Sequence, residues 1–156
     1  MVSRWRICVV VGRFNQSITD NLLEGALEAC RELDIAAGED DVYPVPGAFE
    51  LPIVAQRLAD SGRYDGIVCL GAVVRGETPH FDYVCEQAAS GLLRVGLESG
   101  VPVAFGVLTT DTMEQALARA GGEVGNKGYE AVHTVVDTLE QLARAGDDSA
   151  ERGEDR

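Results

Sequence analysis

At 156 residues the chain has the length of one ordinary domain, enough to bury roughly 70% of its unfolded surface. Its 46% hydrophobic content, 18 glycines and only 6% aromatics suit a Val/Ala/Gly-rich α/β protein. A formal net charge of −13 excludes nucleic acid and anionic membrane as partners, because the electrostatic footprint has the wrong sign.

Strand and helix signals alternate along the chain. Arg6 to Val11 is a β-branched run ending at Gly12. From Ser17 to Leu33 the apolar residues Ile18, Leu22, Leu23, Ala26, Leu27, Cys30 and Leu33 recur at three- and four-residue steps, which predicts an amphipathic helix capped by Ser17 or Thr19. Val42 to Val45 is a short strand stopped by Pro46-Gly47, and Leu51 to Ala59 is a helix stopped by Ser61-Gly62. Ile67 to Val74 is the third strand, and Pro79 to about Glu98 the third helix. Val101 to Leu108 is the fourth strand and Thr112 to Ala120 a short helix; after Gly121-Gly122 and Gly125-Asn126 a last helix runs to about Ala145.

Strands separated by helices pair in parallel through right-handed crossovers. The expected fold is therefore a three-layer α/β/α sandwich around a four-stranded parallel sheet in flavodoxin-like order, one domain over residues 1–145. The charged stretch 146–156 is expected to be a disordered acidic tail that solubilises the chain. No apolar stretch approaches the ~20 residues of a membrane span, and the N-terminus has no apolar secretory core. Cys8, Cys30, Cys69 and Cys85 are widely spaced, with neither a Cys-x-x-Cys pair nor a matching histidine pattern. Reduced thiols in a cytoplasmic protein, and no metal, are the expectation.

Four turns follow strands and can converge on one edge of the sheet, where ligands bind in open α/β folds. In Gly12-Arg13-Phe14-Asn15, Phe14 is either a core aromatic or a stacking surface for a planar heterocycle. In Pro46-Gly47-Ala48-Phe49-Glu50, Glu50 is either a favourable first-turn charge or an acceptor for ligand hydroxyls. The third turn, Arg75-Gly76-Glu77-Thr78-Pro79-His80, ends a buried strand and opens a helix. Proline suits the first helical turn, whose free N–H groups and dipole favour an anion. A Thr78 cap is the plainer reading, but it gives His80, one of only two histidines, no task. In the fourth turn Arg119 is either a solvated charge or a guanidinium that returns to a phosphate, the local cation that so acidic a chain needs. His133 lies inside the last amphipathic helix and reads as structural.

Taken together, Gly-Arg-Phe-Asn, Val-Pro-Gly-Ala-Phe-Glu, Gly-Ala-Val-Val-Arg-Gly-Glu-Thr-Pro-His-Phe-Asp-Tyr-Val, Phe-Gly-Val-Leu-Thr-Thr and Arg-Ala-Gly…Gly-Asn-Lys-Gly strongly resemble the lumazine synthase family, from roughly Arg6 to Leu142. The resemblance implies a riboflavin-biosynthetic transferase without cofactor. It would condense 5-amino-6-(D-ribitylamino)uracil with 3,4-dihydroxy-2-butanone 4-phosphate, giving 6,7-dimethyl-8-ribityllumazine, phosphate and water. Carried over by position, Phe14 stacks on the pyrimidine, and Ala48, Phe49 and Glu50 hold its edge and the ribityl chain. Ala72, Val73, Val74 and Phe105 line the remainder, and Lys127 helps orient the pyrimidine or phosphate. Glu77 and Thr78 cradle the phosphate, Arg119 clamps it and His80 moves protons, with Asp82 either orienting His80 or standing as a plain helical carboxylate. The family also implies a homopentamer with active sites between neighbouring subunits, Phe105 and the Arg119 region reaching a neighbour's pocket, with decamers in some members and a 60-subunit icosahedral shell in others. The connection from Gly121 to Lys127 is short, as a shell allows, whereas the brief Met1–Trp5 segment leaves open an edge strand that relatives add to a neighbour. Rival readings are a flavin-holding module, an inactive shell protein and the archaeal-type riboflavin synthase that shares the fold.

Overall fold

The computed structural model describes residues 4–154, with side chains through residue 146. Four parallel strands form the central sheet: β1 (Ile7–Gly12), β2 (Val42–Val45), β3 (Gly66–Val74) and β4 (Val103–Thr110), in the order β2-β1-β3-β4. Between them run α1 (Gln16–Glu32), α2 (Leu51–Asp60) and α3 (His80–Ser99). After β4 come α4 (Met113–Ala118), a small antiparallel pair β5 (Ala120–Gly122) and β6 (Gly125–Asn126), and α5 (Lys127–Glu154). The layered α/β architecture read from the sequence is the one observed.

Alternation along each strand sends neighbouring side chains to opposite faces. Ile7, Val9, Val11, Val68 and Leu70 pack with Leu22, Val132 and Val135 under α1 and α5. Cys8, Val10, Ile67 and Cys69 pack with Leu51, Ala55, Ala88 and Leu92 under α2 and α3. Both faces are covered, so the strands read as unbroken apolar runs. β4 is an edge strand of this sheet.

Three boundaries differ most from the sequence reading: α4 stops at Ala118, with Ala120 already in β5, and β4 and α5 both end later than expected. β4 starts two residues later than its apolar run suggests and continues through Thr109 and Thr110, which pair with Val73 and Val74. Ladder register with β3, rather than hydrophobicity, sets that end. Helix α5 continues to Glu154, so the segment expected as a disordered tail is helical to that point. Extending an existing helix fixes one residue per hydrogen bond, which is far easier than starting one. Side chains from 147 onward, and residues 155–156 entirely, lie outside the described residues.

Cys8, Cys30, Cys69 and Cys85 are free thiols, the first three buried. Burial pushes the Cys8 thiol up to about 12 and Cys30 up to about 11, and raises Cys69 as well. An unfolded thiol ionises near 9.0, so above that pH unfolding releases protons. The stability carried by these protonated thiols is complete below about pH 9 and is lost as pH rises through about 11 to 12. Denaturant midpoints should therefore fall across this window, and fall less steeply for Cys30→Ala. Equal slopes for the two proteins would contradict the assignment.

Candidate active site

The turns after β1, β2 and β3 meet at the carboxyl end of the sheet. Arg13 and Phe14 donate their backbone N–H groups to the carbonyls of Val45 and Pro46, at 2.8 and 2.9 Å. Asn15 stands at the head of α1 with φ 61° and ψ 50°, in the left-handed region that few non-glycine residues visit. Its side-chain amide donates to the carbonyl of Ala72 at 2.9 Å. The first turn is thereby fastened to both neighbouring strands, and the Phe14 ring stands 73% exposed above them. Neither Ser17 nor Thr19 caps α1; that place is taken by Asn15, without a side-chain cap bond.

The result is a cavity of about 670 Å³. Phe14, Ala48, Phe49, Glu50, Ala72, Val73, Val74, Thr78 and His80 line it, as the sequence reading requires for one ligand. Its size suits a drug-sized molecule, and its walls are mainly apolar with a few polar groups. Glu50 lies beside Gly47, and its carboxylate has no hydrogen-bonding partner among the described residues. It is therefore free to accept from hydroxyls of a ligand. His80 is the first residue of α3, exposed and likewise without a hydrogen bond. Thr78 makes no cap bond; Pro79 precedes the helix, and its carbonyl accepts from Asp82 and Tyr83. The N–H groups of His80 and Phe81 remain without a partner among the described residues, as an anion seat needs.

Four predicted residues fall elsewhere. Glu77 is exposed and does not line this cavity, consistent with the repulsion its carboxylate would exert on a phosphate. Phe105, Arg119 and Lys127 line a separate cavity of about 400 Å³ with Thr109 and Glu130. A third hollow, lined by Arg75, Phe81, Asp111 and Arg119 among others, lies between the two. Within a single chain the imidazole of His80 and the guanidinium of Arg119 do not share a cavity. Asp82 pairs with Arg75 at 3.4 Å and does not orient His80.

Sequence reasoning assigned no task to Tyr83 and Val84, which line the main cavity. They sit three and four residues after His80 and so share its helix face, a signal available from spacing alone. Asn15 was also passed over; an asparagine directly before a helix is a candidate for left-handed backbone.

Helix α4 begins at Thr112, whose hydroxyl accepts from Gln115 N–H at 3.1 Å while the Gln115 side chain returns to the Thr112 N–H, a reciprocal cap. Asn126 caps α5 one way, its side-chain oxygen accepting from Gly128 and Tyr129 at 2.9 and 3.1 Å. The Asn126 cap fixes the end from which Lys127 projects, while Arg119 closes the far end of α4 and donates its guanidinium back to the Gln115 carbonyl at 2.9 Å. Among the described residues no cluster of His, Cys, Asp and Glu could hold a metal ion, and no helix is long and apolar enough to cross a membrane.

A parallel sheet in this order, with an apolar cleft and convergent polar groups at its strand ends, defines an α/β enzyme that acts on small molecules. The family model described as 6,7-dimethyl-8-ribityllumazine synthase matches residues 4–143. The chain is also 52% identical over 139 residues to the 6,7-dimethyl-8-ribityllumazine synthase of Protochlamydia amoebophila (strain UWE25), covering 89% of this chain and 81% of that protein. The chain belongs to the 6,7-dimethyl-8-ribityllumazine synthase family. It is a transferase, and membership implies riboflavin biosynthesis, small-molecule substrates and an oligomer.

Proposed function

We propose that this cytoplasmic protein condenses 5-amino-6-(D-ribitylamino)uracil with 3,4-dihydroxy-2-butanone 4-phosphate, releasing 6,7-dimethyl-8-ribityllumazine, phosphate and water. One observation carries the reading: a cleft sized for a heterocycle holds an exposed phenyl ring, an unpartnered carboxylate, an imidazole and an open helix N-terminus. Phe14 stacks on the pyrimidine, and Glu50 accepts from the ribityl hydroxyls. The turn at Gly76–Thr78 and the start of α3 take the phosphate. The amine of the pyrimidine attacks the ketone, and water leaves to give the imine. Phosphate then departs, and the second nitrogen closes the ring with loss of another water. Each step moves a proton near neutral pH, a task for His80 at the mouth of the phosphate seat.

The separation of His80 from Arg119 supports a site completed by a neighbouring copy. One chain offers Phe14, Glu50 and His80 through its main cavity, and Phe105, Arg119 and Lys127 through another. A heterologous contact between these two surfaces closes into a ring when the rotation permits. The basic unit is a homopentamer, and twelve of them form a shell if the pentamer edges also pair. Light scattering on the purified protein distinguishes a pentamer, a decamer and a 60-subunit shell.

The defining experiment supplies both substrates and follows the fluorescence of the lumazine. Absence of product with folded, oligomeric protein would refute the reading. An archaeal-type riboflavin synthase would instead consume lumazine, and a binding module would do neither. Holding the two reactants together can be worth about 7–11 kcal/mol, more than proton transfer supplies. His80→Ala should therefore retain turnover, with kcat reduced by no more than about 10²-fold, the lower end of general acid–base help. Loss of all turnover above the uncatalysed rate would reverse that ranking.

A further inference from the structure

An unbroken run of polar contacts joins the phosphate turn of one cavity to the arginine of the other. Arg75 follows β3 and donates its backbone N–H to Thr110 O at 2.8 Å, carrying the β3–β4 ladder one step past the Val74–Thr110 pair. Its Nε donates to Asp111 Oδ1 at 2.8 Å, and a terminal nitrogen lies 3.4 Å from Asp82 Oδ1. The guanidinium also rests over the ring of Phe81, 4.3 Å from its centroid, next to His80. From Asp111 the run continues, its backbone N–H donating to Gln115 Oε1 at 2.8 Å. The Gln115 carbonyl then accepts from the Arg119 guanidinium at 2.9 Å.

Among the described residues no hydrogen bond ties Gly76, Glu77 or Thr78 to the rest of the chain, so Arg75 is the tether on the strand side of the turn. Arg75 is about half exposed and Asp111 about two-thirds, at 48% and 66%. Exposed pairs of this kind add little to stability, so the value of this one must lie in geometry. We infer that Arg75 and Asp111 are positioning residues whose ion pair aligns the anion-binding turn of one half-site with the Arg119 that the same chain presents to the next. The inference rests on the reading that this turn seats a phosphate.

Charge and geometry make opposite predictions for Asp111, and that separates them. Removing a carboxylate near an anion site should strengthen phosphate binding if only Coulomb forces act. If the carboxylate acts through Arg75, removal should weaken it. The test uses the whole oligomeric protein with inorganic phosphate as the probe in calorimetry. Arg75→Met keeps the apolar stem over Phe81 and removes the fork; Asp111→Ala removes the acceptor. Each is expected to weaken phosphate binding about tenfold, a modest share of what misplacement costs. The double variant should be no worse than either single one, because both break the same link. Arg75→Lys should recover part of the loss. In turnover, KM for the butanone phosphate should rise in step, while KM for the pyrimidine stays within about twofold.

Phosphate binding by Asp111→Ala at or above the original affinity overturns the inference, as do single effects that multiply in the double variant. A general structural role would shift both KM values together and lower Tm, and that result also overturns it. Weakened phosphate binding in both variants without any lumazine formation by the unaltered protein supports the inference and sinks the functional reading. An unaltered protein that binds no phosphate sinks both.

Discussion

An Arg119→Gln variant is expected to lose about 10²–10³-fold in kcat/KM, the scale of removing one preorganised donor from developing charge. The chain carries a formal charge of −13, so nothing in its overall field draws in a phosphate ester. Arg119 and Lys127 are the cations that line the smaller cavity, with Glu130 beside them. A fixed, forked donor set matches a departing phosphate group, and glutamine leaves a shorter, polar side chain without the charge or the fork. A second arm tests where that charge acts. Chains carrying Arg119→Gln, co-expressed with chains carrying Phe14→Ala and Glu50→Ala, should form mixed rings in which about one interface in four joins two intact halves. Activity near a quarter of the unaltered level would follow, although each variant alone is almost inactive. Mixed rings with no recovered activity would place Arg119 and Phe14 in the same chain's site.

Among glycine-to-alanine changes, Gly128→Ala should be the most damaging to the fold. A Cβ at this position would stand 2.0 Å from the carbonyl oxygen of Leu22 and 2.8 Å from its carbonyl carbon. Those are backbone atoms of α1 and cannot swing aside, so α1 and α5 must part. Overpacking of this sort costs about 1–3 kcal/mol and sometimes more. For a chain of this length each kcal/mol lowers Tm by about 2–4 °C. Gly38→Ala is the control: an added Cβ there meets nothing within 4 Å, and the backbone is already extended. Equal Tm values for the two variants would mean that the helices do not approach this closely. Because Lys127 is the neighbouring residue, the Gly128 variant should also lose activity at temperatures where it remains folded.

Apolar continuity made β1 and β3 legible, since both are buried on both sides and their neighbours in sequence are polar. The turn chemistry of Pro46-Gly47 and the proline at the head of α3 located the cavity before any packing was considered. Legibility failed where tertiary register decides. Thr109 and Thr110 look like loop residues, yet they pair with Val73 and Val74 and carry β4 to the edge of the site. The β5–β6 pair was invisible because three of its residues are glycines, which carry no hydrophobic pattern. In the sequence Arg75 is only the first residue of the His80 turn, whereas its partner Asp111 lies 36 residues away. Contacts across such a span leave no periodicity. Spacing alone does not give the split of these residues between two cavities; the resemblance, which sends Phe105 and the Arg119 region to a neighbour's pocket, does.

Asn15 has a practical meaning for anyone who would retool this cleft for a different heterocycle. Its left-handed backbone penalises ordinary side chains by roughly 1–2 kcal/mol, and its amide braces Ala72 on the opposite wall. Libraries that randomise this position will mostly return misshapen cups; glycine suits the backbone but loses the brace, and aspartate has no proton to donate to the Ala72 carbonyl. The adjoining phenyl ring, held by backbone bonds that any amino acid except proline can make, is the place to introduce diversity.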